Sequence, residues 1–188
     1  MSKKIYLLRH GLDDETRIGG WSDVGLIEEG IIQVKKAKDF LEKENFPITK
    51  IYHSGVTRAL ETANIINELY KLELIELPDL KKLNKGELNG MDVNLANKLY
   101  PEFKDLNDIN KIYPNGESFT GFHKRVKSFI NNIDEYESSL FITHRGFINQ
   151  LYFVLNNIPI NLDKKQFNVT HASIHELDLN TKTIRRIY

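Results

Sequence analysis

The chain has 188 residues, with 26 Lys plus Arg against 26 Asp plus Glu and no cysteine, and its pI is near 7.0. That length suffices for one folding unit with a substantial core. The balanced charge argues against a nucleic-acid surface, which needs a basic face or stripe, and the missing cysteines exclude disulfides, a thiol nucleophile and a thiolate metal site. No apolar run approaches the ~20 residues of a membrane-spanning helix, and MSKKIYLLRH holds too short an apolar stretch for a signal peptide. A cytoplasmic protein is therefore expected. No feature of the sequence sets an oligomeric state.

In chain order, KIYLLR reads as a buried strand that delivers Arg9, His10 and Gly11 at its carboxyl end. A polar loop with Gly19, Gly20 and Trp21 follows. From Ile27 to Glu44, the apolar residues Ile27, Ile31, Val34, Ala37 and Leu41 recur at helical spacing, and Pro47 closes the segment. A second strand, Lys50 to His53, meets Ser54, a capping residue for a helix to about Tyr70 with Val56, Leu60, Ala63, Ile66 and Tyr70 inward. Arg58 in its first turn opposes the helix dipole and so asks for an anionic partner: Glu61, Glu28 or a bound phosphate. His53 is a further pocket candidate. Leu72 to Leu77 reads as a third strand, Asp92 caps a short helix ending before Pro101, and Tyr100 to Gly116 is polar and irregular, so residues 78–116 are a possible lid. Glu117 to Glu135 carries Phe119, Phe122, Val126, Phe129, Ile130 and Ile133 on one helical face. The opening pattern then recurs as SLFIT, His144, Arg145, Gly146 and an apolar helix from Phe147 to Leu155. Two alternating strands, Ala172 to Leu177 and Thr183 to Tyr188, close the chain.

Strands alternating with helices predict a three-layer α/β/α sandwich, mostly parallel, with an antiparallel edge at the C-terminus. In a parallel sheet His10, Ser54 to Arg58 and His144 emerge at one sheet end, where ligands bind. Two histidines and two arginines in one crevice repel one another unless an anion sits among them, and a phosphoryl group with three equatorial oxygens suits them. A metal is disfavoured, because flanking arginines repel a cation and no carboxylate or thiolate partner is evident. No cofactor is implied.

The motifs carry a family resemblance across nearly the whole chain. LLRHG (Leu7 to Gly11), GWSDVGL (Gly20 to Leu26), SGVTRALETA (Ser54 to Ala63), PNGES (Pro114 to Ser118) and ITHRG (Ile142 to Gly146) stand in the order found in the first branch of the histidine phosphatase superfamily, the phosphoglycerate-mutase-like proteins, which the chain resembles. The resemblance implies a metal-independent phosphomonoesterase in which His10 attacks phosphorus to form a phosphohistidine that water hydrolyses. Arg9, Arg58 and His144 then hold the equatorial oxygens, with Gly11, Arg145, Gly146 and Trp21 as further phosphate or substrate contacts. The substrate would be a small phosphorylated metabolite or a phosphorylated side chain. Mutase-type phosphotransfer and a phospho-ligand binding module are the alternatives.

The chain departs from the family pattern in the loop DLKKLNKGELNG. Gly86 and Gly90 match, but Lys82 stands at the position of the family's catalytic glutamate. Glu87, Asp13 or Asp14 supplies the proton instead, or Lys82 does so with a lowered pKa, or the leaving group needs no acid. The segment between His10 and Gly20 is about three residues shorter than in many relatives and lacks their Asn. Ile27 stands where a Thr or Ser cap is common, and Arg145 replaces a glycine, so that its anion contact is this chain's own addition or its side chain points outward. His171 and Glu117 are possible supporting residues.

Overall fold

The fold follows from two strands with no exposed face. In the computed structural model, which describes residues 3–163 and 165–188, β1 (Lys4–Arg9) and β4 (Ser139–Thr143) are almost wholly buried, as continuous apolar runs covered on both faces must be. Their side chains alternate between two cores. Ile5, Leu7 and Phe141 join Phe122, Val126, Phe129, Phe147 and Leu151 on one face of the sheet. Tyr6, Leu8, Leu140 and Ile142 join Val34, Ala37, Leu41, Ala59, Ala63 and Ile66 on the other. Helices α1 (Glu28–Glu44) and α2 (Thr57–Tyr70) thus cover one face, and α4 (Phe119–Ile130) and α5 (Arg145–Leu155) the other.

The six strands run in the order β3-β2-β4-β1-β5-β6. β2 (Lys50–His53), β3 (Leu74–Glu76), β4 and β1 are mutually parallel. β5 (Ile174–Asp178) and β6 (Thr183–Arg186) form the antiparallel edge. The register aligns Arg9 with Thr143 and His53 with Ile142. Three carboxyl ends therefore stop at one level, and the residues that follow them meet there.

Several elements differ from the expectation. The buried stripe of α1 is Gly30, Val34, Ala37 and Leu41, while Ile27 and Ile31 are exposed. The helix is rotated so that Gly30 touches the loop after β1: a Cβ at Gly30 would lie 2.1 Å from Leu12 O, and one at Gly11 2.4 Å from Gly30 O. Only paired glycines permit that approach. In α2 the N-cap is Val56, not Ser54, and Leu60 is exposed while Arg58, Ala59 and Thr62 are buried. The expected helix from 117 to 135 ends at Ile130. Asn131 and Asn132 bond back to Ser128 O and Phe129 O, tightening the chain toward a 3-10 turn, Ile133–Tyr136, as poor helix formers favour.

Residues 78–116 carry 3-10 turns at Pro78–Leu80, Gly86–Leu88 and Pro101–Phe103 and one short helix, α3 (Val93–Leu99), capped by Asp92 as expected. This segment is tied to the loop after β1 by backbone bonds from Ile18 N to Met91 O (2.7 Å), Gly90 N to Ile18 O (2.8 Å) and Val93 N to Thr16 O (2.9 Å). Among the described residues no helix is long and apolar enough to cross a membrane.

Candidate active site

His10 follows β1 and His144 follows β4. Because the strands are adjacent and parallel, with His10 N donating to Thr143 O (3.0 Å), the two imidazoles meet with ring centroids 5.0 Å apart. His10 Nδ1 lies 2.7 Å from Gly11 O. A carbonyl only accepts, so Nδ1 carries the proton and Nε2 keeps its lone pair. Arg58 Nε donates to that nitrogen at 3.3 Å. Burial, then His144, Arg58 and Arg9, hold His10 well below the usual imidazole pKa, against a smaller opposing effect of the Gly11 carbonyl. His10 is therefore neutral at pH 7.

His144 is fully buried. Its Nε2 is 2.8 Å from Ser54 Oγ, and its Nδ1 accepts from Arg58 Nη2 at 3.5 Å. Burial first, then Arg58, Lys82, Arg9 and Arg125, keep it neutral as well. Ser54, expected to cap α2, instead orients the second histidine.

Arg58 is only 1% exposed. Its guanidinium donates to Gly20 O (2.8 Å) and Ser22 Oγ (3.0 Å), and Asp13 Oδ2 lies 3.3 Å from Nε. The carboxylate that answers its position in the first helical turn is thus Asp13. Neither of the two expected carboxylates serves: Glu61 accepts from Leu26 N (2.6 Å), and Glu28 is exposed in the first turn of α1. Arg9 donates from Nη1 to Val169 O (2.9 Å) and contacts His171 Nε2 through Nη2, while its buried Nε has no partner among the described residues. Burial and Arg145 push the Arg9 pKa down to about 9, so it stays charged at neutral pH. Burial and Arg9 likewise lower His171 to about 3. Its ring stands 5.9 Å from that of His10.

Lys82 enters from the loop above. Arg125 pins that loop, donating to Asp79 O (3.0 Å), Lys81 O (3.1 Å) and Lys82 O (3.4 Å) while paired with Glu117 at 2.8 Å. Trp21 Nε1 donates to Lys82 O as well (2.6 Å). The side chain passes Gly146, whose Cβ position lies 3.5 Å from Lys82 Cγ. Desolvation, then Lys85, Arg58 and Arg145, lower the Lys82 ammonium well below its ordinary pKa, with Asp13 opposing.

The sheet end therefore gathers Arg9, His10, Arg58, Lys82 and His144, with Arg145 and Gly146 at its edge. Other expected residues are placed elsewhere. Glu87 is exposed and accepts from Tyr100 OH (2.5 Å) and Asn115 Nδ2 (2.7 Å). Asp14 accepts from Thr16. Trp21, 43% exposed, packs on the Lys82 loop under Lys81 Nζ. Gly11 turns its N–H to Thr62 Oγ1 (3.3 Å). His53 Nδ1 accepts from Gly55 N (3.1 Å), and Glu76 is its charged neighbour. Ser22, Thr62 and Arg125 were missed in the sequence because each works through a distant partner: 36 residues separate Ser22 from Arg58.

Beside Lys82, Arg145 and Gly146 opens a cavity of about 550 Å³ between the 78–116 segment, α4 and α5. No group of three or more His, Cys, Asp or Glu placed to hold a metal occurs among the described residues.

Known proteins resemble the chain in sequence and in fold. The chain is 31% identical over 160 residues to phosphoglycerate mutase-like protein 4 of Arabidopsis thaliana, covering 79% of this chain and 69% of that protein. It is 38% identical over 96 residues to the 2,3-bisphosphoglycerate-dependent phosphoglycerate mutase of Porphyromonas gingivalis, a match spanning 48% of this chain and only 39% of the mutase. Its fold matches a putative α-ribazole-5'-P phosphatase of Escherichia coli K-12 with a TM-score of 0.84 at 22% identity, covering 100% and 95% of the two chains. It also matches a mycobacterial glucosyl-3-phosphoglycerate phosphatase with a TM-score of 0.78 at 22% identity, covering 99% and 97%. The family model for the histidine phosphatase superfamily (branch 1) aligns to residues 5–187, and the chain belongs to that superfamily.

Proposed function

We propose that the chain is a phosphoric monoester hydrolase working through a phosphohistidine on His10, with a small phosphorylated metabolite or a phosphorylated side chain as substrate. The observation that carries this reading is the His10 ring, with Nδ1 tied to Gly11 O and a neutral Nε2 lone pair turned toward a buried guanidinium. Nε2 attacks phosphorus as the bond to the leaving oxygen breaks. Arg9, Arg58 and His144 receive the equatorial oxygens, and the charge of the two guanidiniums gains most in the transition state. Binding of the phosphoryl dianion offsets the mutual repulsion of the two guanidiniums and the Lys82 ammonium.

Lys82 is the proton donor in this reading. It is the ammonium that faces both the phosphoryl site and the adjoining cavity, whereas Glu87 is held by Tyr100 and Asn115 and Asp13 by Arg58. Its proton goes to the departing oxygen. The amine left behind takes a proton from the water that attacks phosphorus as the P–Nε2 bond breaks, so phosphate is released and Lys82 is recharged. No step calls on a metal.

The test is steady-state hydrolysis of glycerol phosphate and p-nitrophenyl phosphate without added metal, with an alkaline quench for labelled protein. Turnover of both, lost in His10→Ala together with an acid-labile, base-stable phosphoryl label, is expected. Turnover that survives in His10→Ala overturns the reading. The likeness to mutases supports a second reading, transfer to a bound phospho-acid. It predicts label retained by the protein until an acid acceptor is added.

A further inference from the structure

The cavity beside the phosphoryl site has a composition unlike the site itself. Lys82, Arg145 and Gly146 belong to both, but beyond them five aromatic rings line the walls: Phe103, Tyr113, Phe119, Phe122 and Phe153. Phe103 and Tyr113 are stacked 4.5 Å apart, and Phe119 meets Phe122 edge to face. At roughly 30 Å³ per water-sized group, 550 Å³ has room for about eighteen of them. A three-carbon phospho-acid would leave most of that space and nearly all of the aromatic surface uncovered.

One polar side chain in this wall carries an unspent donor. Gln150 on α5 is fully buried, and its Oε1 is held by His123 Nδ1 at 2.6 Å. Its Nε2 has no hydrogen-bond partner among the described residues. Buried donors are kept in native proteins when something accepts from them.

We propose that this cavity takes the leaving group of the substrate, a planar, largely apolar ring system bearing one hydrogen-bond acceptor that meets the Gln150 amide. The phosphoryl end is then placed at His10 by way of Lys82 and Arg145. The inference rests on the phosphatase reading for the fate of that phosphoryl end. It makes Gln150 and the aromatic wall the determinants of specificity, since the rings give a flat apolar surface on one part of a lining that elsewhere carries charged residues such as Lys85, Lys104 and Asp105.

The test is calorimetric binding to His10→Ala protein, which keeps the cavity. Three probes are compared: 4-methylumbelliferyl phosphate, a ring system with a carbonyl; 1-naphthyl phosphate, a ring system without one; and glycerol 3-phosphate. The methylumbelliferyl ester is expected to bind at least about ten-fold tighter than glycerol 3-phosphate. Gln150→Leu should erase about five- to ten-fold of its affinity while leaving the naphthyl ester within about two-fold, the size of one hydrogen bond. Leu106→Trp, at a half-buried cap position lining the cavity, fills the space without touching Gln150 and should weaken both ring esters but not glycerol 3-phosphate. Equal binding of the three probes, or ring esters unaffected by Leu106→Trp, overturns the proposal. If the unmodified protein hydrolyses no ester but the ring preference holds, the phosphatase reading falls alone. If hydrolysis is intact and the preference absent, the role of the cavity falls alone.

Discussion

Replacing Lys82 by Met separates proton donation from every other role of the residue. Met keeps an unbranched stem beside Gly146, and the carbonyl of residue 82, bonded to Trp21 Nε1, is unaffected by the side chain. What disappears is one ammonium crowded by Lys85, Arg58 and Arg145. A positioned general acid is worth roughly 10²–10⁴ in rate when the leaving group is basic. An alkoxide far more basic than a phenolate, whose pKa is about 10, needs that proton; p-nitrophenolate does not. The expected outcome is a fall of about 10²–10³ in kcat/KM for glycerol phosphate, or about 3–4 kcal/mol of barrier, with p-nitrophenyl phosphate within about three-fold. Stability should move the other way. Removing one of several like charges relieves repulsion and desolvation, so Tm should hold or rise by about 2–4 °C, equivalent to about 1 kcal/mol in a chain of this size. Paired kinetics on the two substrates and a thermal melt decide it. Equal losses on both esters would refute proton donation by Lys82 and leave it a phosphate contact; a lowered Tm would refute the account of its crowding.

Ser54→Ala leaves the buried His144 Nε2 without its partner, so stability should drop by about 1–3 kcal/mol, and kcat by about ten-fold as the ring loses its fixed tautomer, read by urea titration and steady-state kinetics. Gly30→Ala drives a methyl to 2.1 Å from Leu12 O; it should cost about 1–3 kcal/mol and reduce activity through the shifted His10 backbone, without altering the aryl-to-alkyl ratio. Acid should destabilise the ligand-free protein well above the carboxylate range. His175, buried between Tyr152 OH (2.9 Å) and Ser173 Oγ (3.0 Å), is lowered from 6.5 to about 4 by burial and Arg186. A depressed histidine pKa means that the unfolded chain binds the extra proton, so this stability is full above pH 6.5 and is lost as pH falls toward 4, of order 3 kcal/mol for His175 alone. His10, His144 and His171 act in the same direction. Urea midpoints that stay flat from pH 7 to 5 would refute this.

Much of the architecture is local information. The continuous apolar runs of β1 and β4 require cover on both faces, the alternation of strand and helix requires parallel pairing in the middle, and the final pair of alternating strands can close antiparallel. Once those strands are parallel neighbours, a histidine immediately after each must arrive at the same edge, which is why His10, Arg58 and His144 are legible in the sequence as one cluster. The five ordered motifs carried the family for the same reason: each sits where a strand ends or a helix begins.

What only the tertiary structure decided are relations between residues far apart in the chain. Helical spacing names a stripe but not its rotation, so Ile27, Ile31 and Leu60 read as inward until the contact of Gly11 and Gly30 turned α1 and the burial of Arg58 turned α2. Ser54 is a good capping residue by type, but a hydrogen bond to His144, 90 residues away, uses its hydroxyl otherwise. The partner of Arg58 proved to be Asp13 rather than a neighbour on a helix, because the loop after β1 folds back over the sheet end. The cavity, with its five rings and its buried Gln150, is lined from stretches as far apart as Ile18 and Asp163 and exists only when α4, α5 and residues 78–116 are packed together with them. Local sequence sets what each segment presents; which presented groups meet is settled by long-range packing, because burial rewards the arrangement of the whole chain and not the preference of any one stretch.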